Sequence, residues 1–169
     1  MYYVNCFFIY SILGFIFETL SSLLFNWQYD SGILYGPYAP IYGIGAVVII
    51  FIYKLLDKKI KNKFLKFMYL FIIVSITLSI LEIIGGYLIE LCFHKVFWDY
   101  SNHKFHIGRY TSLQMALIWG SCSILFIFII YPIFRNVIIK IPKLLTEILL
   151  LIILVDTIFT ILFKSYLFR

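Results

Sequence analysis

Five apolar stretches, each long enough to cross a lipid bilayer, constrain this chain more than any other feature of its sequence. An α-helix rises 1.5 Å per residue, so about 20 apolar residues span the hydrocarbon core. We therefore predict an all-α fold, a polytopic membrane bundle of about five transmembrane helices in a single domain over residues 1–169. The predicted spans are residues 2–25, 40–56, 67–93, 111–134 and 144–163.

The composition excludes several other classes of protein. Hydrophobic residues make up 63% of the chain and charged residues only 13%, whereas about a quarter of a soluble domain is charged. No polar stretch is long enough for a separate soluble enzyme module. The net charge of +6 does not indicate nucleic-acid binding, because the basic residues cluster in short loops between the spans. The lipid bilayer is the expected partner.

The distribution of Lys and Arg predicts how the chain crosses the membrane. Residues 54–66 and 135–143 fall on the same side of five alternating spans, and they carry nine of the 14 Lys and Arg residues. The positive-inside rule makes this side cytoplasmic, which puts the N-terminus in the cytoplasm and the C-terminus outside. The abundance of Ile, Phe, Lys, Tyr and Asn is typical of an AT-rich bacterial genome. We therefore expect a multi-pass protein of the bacterial cytoplasmic (inner) membrane.

Three carboxyl side chains lie within the predicted spans, namely Glu18, Glu82 and Asp156. A charged group at the centre of a bilayer costs about 2.5–3.5 kcal/mol on insertion scales, and it normally faces a bundle interior or a water-filled cavity. We therefore predict an acidic intramembrane site that binds a substrate or a proton. The alternative stays open that each carboxyl is protonated, bonds a neighbouring Ser or Tyr and only holds helices together.

The first and third spans share a pattern of small and polar residues. Ser11 precedes Glu18, and Ser75 and Ser79 precede Glu82, all at spacings that repeat on one helical face. Each span leads into a loop on the predicted outer side and then into a returning span. The pattern suggests two parallel two-helix units followed by a fifth helix, an arrangement known in transporters. Plain helix packing is the alternative.

Two loops on the predicted outer side, residues 26–39 and 94–110, are rich in aromatic and turn-forming residues. An aromatic belt at the headgroups and a surface ion pair between Asp99 and Arg109 would explain part of this composition. We nevertheless place the predicted site at the outer half of the membrane. The residues predicted to bind a substrate or proton are Glu18, Glu82, Asp99, Tyr35, Trp98, Tyr100, Arg109 and Asp156.

Catalytic signatures are weak. The sequence has no GxxxxGK[ST] loop for ATP, no HExxH pair and no nucleophile elbow. His103 and His106 have the spacing of two metal ligands, but loop histidines are more often solvated, so we predict no metal site. The catalytic residues are unknown, no cofactor is predicted, and the balance is against an enzyme.

Most of the chain, roughly residues 5–135, resembles the bacterial ABC-transporter permease family called CmpB-like, or type IV. Glu18 and Glu82 match the acidic positions that precede each family motif. The chain departs from the family pattern at Lys104, where proline is more frequent. The residues that carry the resemblance are Gly32, Tyr35-Gly36-Pro37, Pro40-Ile41-Tyr42-Gly43, Gly45, Trp98-Asp99-Tyr100-Ser101, Gly108-Arg109 and Trp119-Gly120.

The resemblance implies a permease-like membrane subunit that works with a separate ATPase. Five short spans make a thin wall for a transport pathway, which favours a homo-oligomer. Two other hypotheses remain. One is an intramembrane or interfacial lipid-modifying enzyme that uses the acidic residues as acid and base groups. The other is a non-catalytic membrane assembly or binding subunit.

Overall fold

A computed structural model describes residues 1–25 and 33–164 of the chain. Ser31 and Gly32 of the loop predicted on the outer side, and Arg169 at the C-terminus, lie outside the described residues. Within them, five helices are long and apolar enough to cross a membrane, so the all-α prediction is confirmed. These helices are Tyr2–Phe25, Pro40–Lys59, Lys63–Phe93, Leu113–Lys140 and Lys143–Lys164, and they are called the first to fifth helices.

The helices extend beyond several of the apolar stretches. The third helix begins at Lys63, four residues before the predicted start, because Asn62 caps it. The Asn62 side chain accepts hydrogen bonds from the backbone N–H groups of Phe64 and Leu65, at 2.9 and 3.3 Å. At the other end, His94 adopts the left-handed conformation (φ 53°) and its N–H bonds the Glu90 carbonyl. Local capping therefore fixes both ends of this helix.

The fourth helix changes its hydrogen-bond pattern in the middle. Leu113–Leu125 and Tyr131–Lys140 are α-helical, and the intervening Phe126–Ile130 is π-helical. The N–H of Tyr131 bonds the carbonyl of Phe126, five residues back. Pro132 follows at once and has no N–H to donate, and its ring clashes with the turn before it. We attribute the wider π turn to this proline.

The segment between the third and fourth helices contains a small antiparallel ladder. Strand His106–Ile107 pairs with strand Thr111–Ser112 around Gly108, which has a positive φ of 62°. Thr111 and Ser112 were predicted to begin the fourth span, and this boundary is two residues early. Ser112 is instead the N-cap of the fourth helix, where its hydroxyl accepts from the N–H of Met115.

The described chain divides into two compact units. One unit contains residues 1–47 and 134–164, and the other contains residues 48–133. In the first unit, Asn5 links distant segments: its side-chain amide donates to the Ile138 carbonyl, and its amide oxygen accepts from Thr146 at 2.6 Å. In the second unit, the third and fourth helices pack closely, for example through the Phe67 and Phe128 rings at 4.7 Å. The single transmembrane domain stays a prediction.

Candidate functional site

Glu82 is the most deeply buried carboxyl among the described residues, with 5% of its surface exposed. It lies in the middle of the third helix and accepts a hydrogen bond of 3.0 Å from the Thr111 hydroxyl. No basic side chain of the described residues pairs with it. A buried carboxylate without a cation is unfavourable, because desolvation is not repaid by an opposite charge. The donor that this group does receive, the Thr111 hydroxyl, is neutral.

Two aromatic side chains lie beside the same carboxyl. The indole N–H of Trp119 is buried and has no standard hydrogen bond within the described part of the chain, yet it lies close enough to interact with Glu82. Burial raises the pKa of the Tyr100 phenol above its ordinary value, and Glu82 raises it further when its carboxyl is ionised. The predicted residue Tyr100 thus lies within electrostatic reach of Glu82, and Thr111 and Trp119 join the same site.

Arg109 and Glu90 form a second cluster nearer the end of the third helix. The guanidinium Nη1 lies 3.2 Å from a Glu90 oxygen, and its Nε lies 4.0 Å from Asp99. The Tyr110 hydroxyl donates to the other Glu90 oxygen at 2.5 Å. The predicted pairing of Arg109 with Asp99 is therefore the longer of its two ion pairs. Both carboxylates and the guanidinium are well exposed, so these pairs contribute little to stability.

Asp99 and Trp98 organise the loop that carries them. Asp99 accepts hydrogen bonds from the hydroxyl and the backbone N–H of Ser101, at 2.5 and 2.8 Å. These bonds, the hydroxyl first, lower the pKa of the Asp99 carboxyl. The Trp98 indole donates to the Tyr110 carbonyl at 3.2 Å. Both predicted site residues therefore have local structural roles.

In the unit of residues 1–47 and 134–164, Glu18 of the first helix is hydrogen-bonded to the second helix. The Tyr42 hydroxyl donates to the Glu18 carboxyl at 2.9 Å. The Tyr42 ring lies directly over Gly14, one turn before Glu18, so a Cβ at Gly14 would overlap it. Glycine at this position therefore allows the close approach that brings the phenol to the carboxyl.

Asp156 is held by the loop before the second helix, an arrangement we call the Asp156 clamp. The backbone N–H groups of Tyr35 and Gly36 donate to its two oxygens at 3.0 and 2.8 Å, and the Tyr38 hydroxyl donates as well. Thr160, one turn later in the fifth helix, adds a bond of 3.1 Å. Four donors satisfy both carboxylate oxygens, so the clamp holds the loop against the fifth helix.

Lys164 completes the contact between the fifth helix and this loop. Its ammonium donates to the Ile33 carbonyl at 3.1 Å and lies 4.7 Å from the centre of the Tyr35 ring. Thr160 and Lys164 follow Asp156 by four and eight residues, on the same face of the helix, and both engage in this contact. Tyr35 thus contributes its backbone N–H to Asp156 and its ring to a cation–π contact.

Each of the two units contains the same local arrangement of a serine, a glycine, an aromatic residue and a glutamate. In the first, Ser11 lies against Gly43, and Tyr42 before that glycine bonds Glu18. In the second, the corresponding residues are Ser75, Gly120, Trp119 and Glu82. Each serine precedes its glutamate by seven residues, two helical turns, and both serine and glutamate recur after 64 residues. Shared spacing and shared contacts support the predicted internal repeat.

Two histidines of the loop 94–110 form hydrogen bonds within the protein. His103 Nδ1 lies 2.8 Å from the Ser112 hydroxyl, and His106 Nδ1 lies 2.7 Å from the Gly108 carbonyl. Across residues 1–25 and 33–164, no three His, Cys, Asp or Glu side chains converge as metal ligands.

Apolar helices with carboxyls inside them define a polytopic membrane protein. The family model described as "Putative ABC-transporter type IV" (ABC_trans_CmpB) matches residues 5–164, and the chain belongs to this family. The resemblance predicted from the motifs is confirmed over almost the whole chain. No match was found among the curated proteins or the solved structures.

Sequence reasoning left open a Ser or Tyr partner for each carboxyl but did not identify which residues these are. Three of these partners donate to a predicted site residue: Tyr38 to Asp156, Tyr42 to Glu18 and Thr111 to Glu82. Glu90 accepts from Tyr110, the neighbour of the predicted residue Arg109. Tyr42 and Gly43 form an aromatic–glycine pair like Trp119 and Gly120, a signal that the sequence does contain.

Proposed function

We propose that this chain is the permease-like membrane subunit of a bacterial ABC transporter and that it works with a separate ATPase. Membership of the ABC-transporter family supports the transport role. The sequence contains no P-loop, so ATP hydrolysis requires another chain. Because five helices enclose a transport pathway poorly, additional copies of the subunit complete it. The N-terminus of each copy lies in the cytoplasm.

The acidic site of this permease is centred on Glu82. The observation that carries this proposal is a buried carboxyl in an apolar helix with a neutral donor, Thr111, and no basic partner among the described residues. Such a group is stable when it holds a proton or meets a cationic group of a substrate. Its chemistry is therefore reversible binding of a proton or a cation. Glu18 with Tyr42 is the second copy of this site.

The other candidate residues have supporting roles in this proposal. Asp156 already accepts four hydrogen bonds, which leaves little capacity for a ligand. We therefore assign Asp156 and Tyr35 to loop positioning, as we do Trp98 and Asp99. Tyr100 lies within electrostatic reach of Glu82, and Arg109 holds the outer end of the third helix through Glu90.

The experiment is purification of the tagged chain from its native membrane, followed by reconstitution of the complex into nanodiscs and measurement of ATP hydrolysis. We expect an ATP-hydrolysing chain to co-purify. Glu82→Gln should lower the ATPase rate at least about tenfold, as expected for loss of one essential electrostatic contact. The matched control is Glu147→Gln, which removes an exposed carboxyl at the start of the fifth helix that only pairs with Lys143.

Two results would contradict the proposal. Absence of any ATPase from the purified complex would remove the transport role, and lipid turnover without ATP would favour the enzyme alternative. Full ATPase activity of the Glu82→Gln complex would remove the acidic site while leaving the family role intact.

The orientation has its own test. In a background without reactive native cysteines, a cysteine at Asn102 should react with an impermeant reagent added outside cells. A cysteine at Lys61 should react only after the membrane is opened. Both positions are exposed. The reverse pattern would invert the proposed topology.

A further inference from the structure

The connection between the second and third helices carries the highest density of positive charge in the chain. Six lysines and one acidic residue, Asp57, lie within residues 54–66. Asp57 forms an ion pair with Lys66, whose ammonium also lies 6.0 Å from the centre of the Tyr53 ring. Lys54 is half-buried, and the other four lysines are exposed and form no ion pair within the described part of the chain. We call them the tip lysines: Lys58, Lys59, Lys61 and Lys63.

The fold does not account for this charge. The helices are joined by residues 60–62 alone, so the four ammonium groups are held within a few residues and repel each other. Lys58 and Lys59 lie in the last turn of the second helix, where cations are favourable. Lys63 lies at the start of the third helix, which has no acidic residue in its first turn. A cation there opposes the helix dipole. An external anion would relieve both costs.

Apolar side chains surround the tip lysines and identify the kind of anion. Phe64 is 69% exposed, Leu65 is 47% exposed and Leu55 is 45% exposed. The exposed apolar surface continues along the third helix through Met68 and Tyr69. This order, ammonium groups followed by exposed rings and aliphatic chains, matches a bilayer surface, where phosphates overlie acyl chains. An acidic soluble protein would match the charge but not this continuous apolar surface.

We propose that the tip lysines form a binding site for the phosphate groups of anionic phospholipids in the adjacent leaflet. Lysine ammonium groups act as flexible point charges, which suits exchangeable contact with several headgroups. Each lysine near an anionic membrane surface is worth roughly a fivefold preference. The inference does not depend on the transport role, since it concerns only the charge and exposure of this connection.

The first experiment uses the unmodified protein. The chain is reconstituted into nanodiscs of phosphatidylcholine alone or with a third phosphatidylglycerol, and lysine acetylation rates are measured by mass spectrometry. We expect the tip lysines to react at least about threefold more slowly with phosphatidylglycerol present, and the effect to weaken in high salt. Lys104, exposed in the other loop, should not change. Equal rates at the tip lysines in the two lipid mixtures would overturn the proposal.

The second experiment counts retained lipids by native mass spectrometry of variants. Replacement of all four tip lysines by Gln should reduce bound phosphatidylglycerol at least about tenfold, whereas replacement by Arg should retain it. The matched control replaces Arg135, Lys140 and Lys143 by Gln, which removes the other basic connection. Equal loss in tip and control variants would overturn the site, as would displacement of the lipid by millimolar inorganic phosphate. Loss of the ATPase with unchanged lipid binding would instead assign the tip to a protein partner.

Discussion

The Thr111 hydroxyl donates a hydrogen bond of 3.0 Å to the Glu82 carboxyl, although 29 positions separate the two residues in the sequence. Thr111 is 2% exposed and belongs to the short strand Thr111–Ser112, which directly precedes the fourth helix. Its neighbour Ser112 caps the fourth helix. Any displacement of this strand would therefore change the number of donors that the buried carboxyl receives.

Thr111→Val should destabilise the protein, because valine keeps the shape of threonine but removes the hydroxyl donor. We expect a loss of roughly 1 kcal/mol, between the values for soluble proteins and for membrane helices. Unfolding in mixed micelles measures it. Thr157→Val is the control, since that hydroxyl bonds only the Ile153 carbonyl of its own helix. An equal effect of the two substitutions would show that the bond to Glu82 has no special weight.

Gly86→Ala should destabilise the second unit by roughly 1–3 kcal/mol, the usual cost of overpacking. A Cβ at Gly86 overlaps the Tyr110 ring. That ring is 1% exposed and cannot withdraw easily, because its hydroxyl bonds Glu90 and Trp98 packs on it. Thermal unfolding in detergent measures the change.

The adjacent glycine provides the matched control for this substitution. A Cβ at Gly85 meets nothing within 4 Å, so Gly85→Ala should leave stability unchanged or raise it slightly. If Gly86→Ala were as stable as Gly85→Ala, the close contact with Tyr110 would be wrong.

Asp156→Asn should open the Asp156 clamp. The N–H groups of Tyr35 and Gly36 bond different oxygens, and asparagine replaces one oxygen by an NH₂ group that faces a donor. We expect a loss of roughly 1–3 kcal/mol and faster hydrogen exchange of residues 33–39. Asp99→Asn, which alters a turn of the other loop, should leave exchange at 33–39 unchanged. Unaltered protection in Asp156→Asn would exclude the clamp.

Alkaline pH should destabilise the first loop through Tyr38. Burial raises the pKa of its phenol above the ordinary value of 10.0, and the hydrogen bond and charge of Asp156 raise it further. A phenol with a raised folded-state pKa contributes stability that is complete below pH about 10 and is lost as the pH rises through the folded-state value. Phenolate absorbance near 295 nm should show a set of tyrosines, Tyr38 among them, that titrate only with unfolding.

Tyr38→Phe isolates this contribution. The variant should lose roughly 1 kcal/mol at neutral pH, because the donor to Asp156 is removed, and its stability should fall less above pH about 10. A pH profile parallel to that of the unmodified protein would assign the alkaline transition to other phenols, such as Tyr110, whose pKa burial also raises.

Local patterns in the sequence predicted the helices well and the contacts between them poorly. Apolar length and period fix the spans, and Asn62 and Ser112 are recognisable caps that correct two boundaries. The seven-residue spacing of Ser11 and Glu18 predicts a shared face because it depends only on helix geometry. The pairing of Asp156 with Tyr38 depends on packing between segments 118 residues apart, which no local pattern encodes.

The Asp156 clamp also sets an order of events during synthesis. Tyr35 emerges 121 residues before Asp156, which at roughly 5–20 residues per second corresponds to about 6–24 seconds of translation. For that interval the amides of the first loop have no carboxylate to bond, while contacts such as Tyr42 with Glu18 are already available. The loop is therefore completed only after the last helix has entered the membrane, and a ribosome that stalls before residue 156 would leave it undocked.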